Sequence, residues 1–300
     1  MQIYTWGCDD DGALGRKVDD NDKATVPGRM VLPHAMTSTK AVQITAGDSH
    51  TAVLTDDGRV WACGTFKDKN SRSFLTQKQK ASESLICIYE SSKRLETAAK
   101  ISSGCHHLAI LLSNGSVYTT GVGSMGQLGQ FYVASWERRR TRTEDGGTVP
   151  LVSGSGKIRL GRQRGTQRHF DNVWATAYST FVRASATRQI YAFGLDNFYQ
   201  LGVTSRHSDH ENKKSFPVLA DKFPSGLLDG DVVSVVGEHH SVALLDTGKL
   251  IAIGRGDDGR LGIGKDCTVI KEFAPIQLPD YAKGKCLSAN TAFALCTTTN

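Results

Sequence analysis

Seven cysteines are present, and no two of them form a C-x-x-C pair. An odd count without that spacing argues against a disulfide framework and for reduced thiols in a cytosolic or nuclear setting. No apolar run approaches the ~18 residues of a membrane span. The opening stretch MQIYTWGCDDDG lacks the basic and apolar regions of a signal peptide. There is no Walker motif, no G-x-S-x-G and no Cys/His spacing of a zinc site. The pairs His106-His107 and His239-His240 invite a metal reading. Adjacent strand residues point to opposite faces, however, so neither pair chelates easily. No nucleophile and base stand in a defensible arrangement. The expectation is a protein without metal, cofactor, small-molecule substrate or membrane contact, acting by binding rather than by bond chemistry.

What the 300 residues do contain is a repeat. Hydrophobic content of 39% and charged content of 22% read as globular and soluble. Small residues stand at Gly47, Gly104, Ala177, Gly237 and Ala289, and seventeen residues after the first four come Gly64, Gly121, Gly194 and Gly254. Eleven residues into each unit lie Gly58, Gly115, Arg188 and Gly248, three of them in Asp-Gly, Asn-Gly or Thr-Gly pairs. Such pairs supply the positive φ of a tight hairpin turn. The flanks HTAVLT and RVWACG carry the β-branched, apolar and aromatic residues of strands.

A second constant follows. Seven residues after Gly7, Gly121, Gly194 and Gly254 stands a Leu-Gly pair, as in GCDDDGALG and GRGDDGRLG. A leucine that buries and a glycine that turns would tie each hairpin to its outer strands. Four strands in each ~50 residues is the size of a propeller blade.

WGCDDDGALGR, AGDSHTAVLTDDGRV and GRGDDGRLGIG resemble the regulator of chromosome condensation repeat family. The resemblance covers nearly the whole chain and implies an all-β fold, a β-propeller. It further implies a chromatin-bound exchange factor for the small GTPase Ran. Residues 1–300 are read as one propeller domain of about five four-stranded blades. QIYTWG reads as the second strand of one hairpin, and SANTAFALCTTTN as the first strand of another. The expectation is a shortened form lacking two of seven blades, with a five-bladed ring as the alternative.

The loops that lead each hairpin carry Asp48, Ser49, Cys105, His106, Glu238 and His239. Polar side chains collected there make a docking surface, although an Asp after Gly also bonds nearby backbone amides. His50, His107 and His240 recur at one register and are expected to make a structural hydrogen bond within each blade. The resemblance implies that Asp48 and His239 belong to the exchange surface, with Ser49 beside them. It also implies two departures on the GTPase-binding rim, His106 where the family has Asp and Gln130 where it has Arg, and both are read as GTPase-binding with Ser49. TFKDKNSRSFLTQ, residues 65–77, breaks the Leu-Gly rule. It matches the family's wedge in position, so Lys67, Asp68, Lys69, Asn70, Ser71 and Arg72 are read as GTPase-binding.

Residues 135–169 form an insertion with nine basic residues against three acidic, a surplus equal to the whole chain's +6. Arg forks suit carboxylates and phosphates. The resemblance implies that this loop grips the acidic patch of the nucleosome, with DNA phosphates adding salt-dependent affinity. Arg138, Arg139, Arg140, Arg142, Arg159, Arg162 and Arg164 are the candidates, and the expected location is nuclear chromatin. The alternative function is a scaffold or chromatin tether without exchange activity.

Overall fold

The computed structural model describes the chain except for residues 10, 19–23, 67–81, 92–95, 130–155, 158–168, 205–211, 225–229, 265–266, 280–282, 290–293 and 300. It is all-β. Among the described residues, four antiparallel four-stranded sheets stand in chain order, flanked by two two-stranded sheets. The first pair is β1 (Tyr4–Thr5) with β2 (Gly28–Arg29). The four-stranded sheets then follow one plan. They are β3 (Ala41–Ala46), β4 (His50–Thr55), β5 (Val60–Gly64) and β6 (Ser82–Tyr89); then β7 (Ala98–Ser103), β8 (His107–Leu112), β9 (Val117–Gly121) and β10 (Gly156–Lys157). After them come β11 (Phe170–Ala175), β12 (Ser179–Ala184), β13 (Ile190–Leu195) and β14 (Lys213–Leu219); then β15 (Val232–Val236), β16 (His240–Leu245), β17 (Leu250–Arg255) and β18 (Val269–Ile276). A last pair joins β19 (Lys283–Ala289) to β20 (Ala294–Thr299).

The turn chemistry explains the hairpins. Gly58, Gly115 and Gly248 have φ of 78°, 74° and 82°. Each donates its amide three residues back, Gly58 to the Thr55 carbonyl at 2.9 Å. In the third repeat the amide of Arg188, at φ 59°, reaches four residues back to Ala184. That turn is one residue longer, which shifts the register upstream. The amide of Thr176 bonds the Ser179 carbonyl, as Gly47 bonds His50 and Gly104 bonds His107. Thr176, not Ala177, therefore occupies the small-residue position of this unit.

The Leu-Gly pairs act as the sequence implies. Leu14, Leu201 and Leu261 are buried, and Gly15, Gly129, Gly202 and Gly262 have φ between 59° and 64°. Leu128 is only half-buried. Each of these glycines closes a turn on the carbonyl three residues earlier. Strands β4, β8, β12 and β16 are buried at every residue. A strand covered on both faces needs no polar alternation, which accounts for runs such as HLAILL. The first two strands of every hairpin share one register shift near the start, for example between Ala41 and Gln43 and between Ala98 and Lys100.

The chain forms two compact units, one of residues 1–124 and 130–158, the other of 125–129 and 159–300. In the first, Ala52, Leu54, Val60 and Phe66 of one sheet meet Ile101, Leu108, Ile110 and Val122 of the next. In the second, Trp174, Phe181, Ile190 and Phe223 pack with Val232, Val235 and Leu245. Each core lies between facing sheets.

Arg188 also closes an ionic network in the second unit. Its Nε donates to Asp231 at 2.8 Å, and the guanidinium pairs with Asp171 as well. Arg183 joins Asp171 at 2.7 Å and donates to the Val232 carbonyl at 2.6 Å. The hydrogen bond from Arg188 holds the Asp231 carboxyl below the usual carboxylate range. Arg188→Ala removes the ion pairs and keeps a side chain at positive φ, whereas Arg188→Gly removes the same pairs and relieves the backbone. The glycine variant is expected to retain about 1 kcal/mol more stability than the alanine variant, read from their urea midpoints.

Candidate functional site

The leading loops are held by main chain. In the first unit the Asp48 amide donates to the Cys105 carbonyl at 3.0 Å, joining one leading loop to the next. In the second unit the Ala177 amide donates to the Gly237 carbonyl at 3.0 Å. Side chains on these loops are therefore presented from a fixed frame.

Asp48 and His106 come together. Asp48 Oδ2 lies 3.7 Å from His106 Nε2, and the Asp48 side chain is 57% exposed against 29% for His106. Ser49 is buried, and its hydroxyl donates to the Thr65 carbonyl at 3.2 Å. That bond braces the loop to the segment after β5. In the second unit His239 stands near two rings, Tyr178 at 5.6 Å and Phe198 at 5.5 Å. Its Nε2 is 3.8 Å from the Glu238 carboxylate. The Arg255 guanidinium lies 5.4 Å from the Phe198 ring centre and pairs with Asp257 at 2.5 Å. Burial pushes the His239 imidazole below its ordinary range; Glu238 opposes that shift while Arg255 and Arg260 add to it.

The third-register histidines are scaffold. Burial pushes His50 down to about 3, with the charges of His107 and His106 adding to it. Burial likewise takes His107 to about 3 and His240 to about 4. All three are neutral at pH 7. His50 Nε2 meets Ser103 Oγ at 3.0 Å, so its bond runs to β7 of the neighbouring sheet rather than within its own. Gly47 has to be small because a Cβ there would strike the His50 ring and the Gly104 carbonyl.

Lys67, Asp68, Lys69, Asn70, Ser71, Arg72, Gln130, Arg138, Arg139, Arg140, Arg142, Arg159, Arg162 and Arg164 all lie outside the described residues. Tyr178 and Phe198 are additions that sequence reasoning did not supply. Tyr178 occupies the register of Ser49, His106 and His239, and taking Ala177 as the small residue hid it by one position. Among the described residues no group of three His, Cys, Asp or Glu side chains could hold a metal ion.

An RCC1-like domain matches residues 1–300. With these repeated sheets and main-chain-stitched loops, the chain belongs to the RCC1-like domain family, whose β-propeller repeats it carries. It is 34% identical over 288 residues to the regulator of chromosome condensation of Xenopus laevis, covering 94% of this chain and 61% of that protein. The human regulator of chromosome condensation is 35% identical over 269 residues, covering 88% and 58%. The guanine nucleotide exchange factor SRM1 of Saccharomyces cerevisiae is 26% identical over 292 residues, covering 88% and 55%. The chain thus spans between 55% and 61% of the length of these relatives. The fold resembles the crystal structure of Prp20p from Saccharomyces cerevisiae, with a TM-score of 0.75, 23% identity, and coverage of 97% of this chain and 64% of that one.

Proposed function

We propose that the chain is a guanine nucleotide exchange module for a small GTPase of the Ran class, docked on nucleosomes through its basic insertion in the nucleus. The observation that carries this reading is the exposed Asp48 carboxylate on a loop fixed by the Asp48–Cys105 backbone bond, in a chain about one-third identical to regulators of chromosome condensation. One relative is named as a guanine nucleotide exchange factor, and Prp20p is described with its binding to Gsp1p and histones.

In this reading Asp48 and His239 touch the GTPase. Ser49 positions the Asp48 loop, and Lys67 to Arg72 displace its phosphate-binding segment. Accelerating release by ~10⁵ requires lowering the barrier by ~7 kcal/mol. With no bond made or broken, that energy comes from binding the nucleotide-free GTPase more tightly than the loaded one. Release of fluorescent GDP from Ran is expected to speed up when the chain is added, and Asp48→Ala is expected to cut the effect at least tenfold with an unchanged melting curve. No acceleration over spontaneous loss sinks the proposal. In the arm of the reading that concerns chromatin, replacing Arg138, Arg139, Arg140 and Arg142 by Ala is expected to abolish nucleosome retention in a pull-down. Unchanged retention rejects the loop as the anchor.

One observation favours a second reading, a chromatin tether without exchange activity. His106 sits beside Asp48 at 3.7 Å where the family resemblance implies a second carboxylate. This reading predicts nucleosome retention without any effect on GDP release.

A further inference from the structure

The loop after β13 carries two aromatic residues where three other repeats carry none. Tyr199 stands five residues after Gly194, as Gly12, Gly126 and Gly259 stand five after Gly7, Gly121 and Gly254. Those glycines have φ of 72°, 83° and 69°, and Tyr199 has 68°. A bulky side chain at positive φ is an outlier that persists only when its surroundings hold it. Phe198 precedes it, in place of Asp11, Met125 and Asp258. Both rings already face cations of the second unit. The Arg255 guanidinium lies 5.4 Å from the Phe198 ring centre, and Lys271 Nζ lies 5.0 Å from that of Tyr199.

The polar atoms beside these rings are unpaired. Glu238 is buried, at 9% exposure, and its Oε2 has no hydrogen-bond partner. Its Oε1 stands 3.8 Å from His239 Nε2, beyond hydrogen-bond length. His239 Nδ1 is likewise buried and without a partner. A buried carboxylate oxygen left unpaired costs free energy, which a donor recovers. The neighbouring cations do not supply that donor, because Arg255 pairs with Asp257 and Arg260 with Asp258. Burial favours the neutral form of His239 at pH 7. With its proton on Nε2, toward Glu238, that imidazole presents Nδ1 as an acceptor. Both unpaired atoms then accept. Their complement is a donor, and aromatic faces beside a carboxylate favour a cationic one.

We propose that Glu238, His239, Tyr178 and Phe198 receive a lysine side chain of a docked protein, its ammonium donating to Glu238 Oε2 and His239 Nδ1 and its stem lying against the two rings. An ammonium offers three donors from one compact centre, which suits two acceptors on adjacent residues. That the docked protein is the GTPase rests on the exchange reading above; the lysine chemistry stands apart from it.

Histidine ring signals of the whole chain, labelled with carbon-13, test this by magnetic resonance. The His239 signal is assigned by its loss in His239→Asn. Titration with the peptide acetyl-Gly-Lys-Gly-amide is expected to shift that signal saturably, and the same peptide with norleucine for lysine is expected to leave it in place. Glu238→Gln is expected to weaken the titration about tenfold, the worth of one charge-assisted hydrogen bond. Phe198→Leu is expected to weaken it about threefold. Melting curves confirm that both variants fold. A wild-type signal that ignores the lysine peptide, or answers the norleucine peptide equally, overturns the proposal. An unchanged titration in folded Glu238→Gln does the same. A second arm uses nucleotide-free Ran. Glu238→Lys is expected to abolish its binding, and one lysine-to-glutamate substitution on Ran to restore it. Wild-type chain that takes the peptide and never binds Ran rejects the exchange reading and leaves the lysine site standing. Ran binding that survives Glu238→Lys rejects the GTPase as the source of the lysine.

Discussion

Between pH 7.5 and pH 5 the first unit is expected to lose about 4 kcal/mol of folding stability. His50 and His107 carry this effect. Both are fully buried, and burial lowers each from 6.5 to about 3. A histidine whose folded value is depressed binds a proton in the unfolded chain before it does in the folded one. Its contribution is therefore complete above pH 6.5 and is lost progressively as the pH falls toward 3. Each such group costs about 1.4 kcal/mol for every pH unit in that window, or about 2 kcal/mol apiece by pH 5. His240, lowered to about 4, adds the same slope to the second unit. Urea denaturation at half-unit steps from pH 7.5 to 5 checks the loss, and calorimetry in buffers of different ionisation enthalpy counts the protons taken up on unfolding. Stability that is flat over the interval would show that these imidazoles are solvated.

The largest effect of a single substitution is expected at Gly64. Its φ of 91° is one that L side chains rarely adopt, and a Cβ would drive into the Ser49 carbonyl and the His50 backbone. The obstacle is main chain of the adjacent strand, so no rotamer change relieves it. Gly64→Ala is expected to cost more than about 4 kcal/mol, the range reached only by severe packing or strain defects. Gly259→Ala is the control. It shares the positive φ, at 69°, and its Cβ would face open space. Backbone strain alone is expected to cost it about 1 kcal/mol. Denaturation midpoints of the two variants separate the contributions, and equal losses would refute the steric account.

The architecture was legible because its determinants are local. A glycine at Gly58 or Gly115 has one job, the left-handed turn, and performs it in every unit that carries it. Leu14, Leu201 and Leu261 bury where the Leu-Gly spacing places them. The third repeat misled by one residue, because Ala177 stands seventeen residues before Gly194 while the structural counterpart, Thr176, stands eighteen before it. The longer turn at Arg188 supplies the extra residue, and a small side chain at the usual distance hid it. No single-chain spacing separates that from an unaltered repeat.

The site was legible only in part, for a different reason. Asp48 stood out as a candidate through its place on a leading loop and through the family resemblance. Tyr178 and Phe198 are aromatic residues among many, and only the fold brings them to His239. The scaffold histidine His50 likewise reads as a repeated letter. Its hydrogen bond to Ser103 crosses between sheets and leaves no trace in local spacing.

The two backbone bonds that stitch neighbouring loops, Asp48 to Cys105 and Ala177 to Gly237, involve no side chain. Asp48, His106, Tyr178 and His239 can therefore be exchanged for other residues while the frame beneath them stays put. The chemistry of this loop surface and the foldability of the chain are therefore separately adjustable, because the bonds that hold the loops do not depend on which side chains the loops carry.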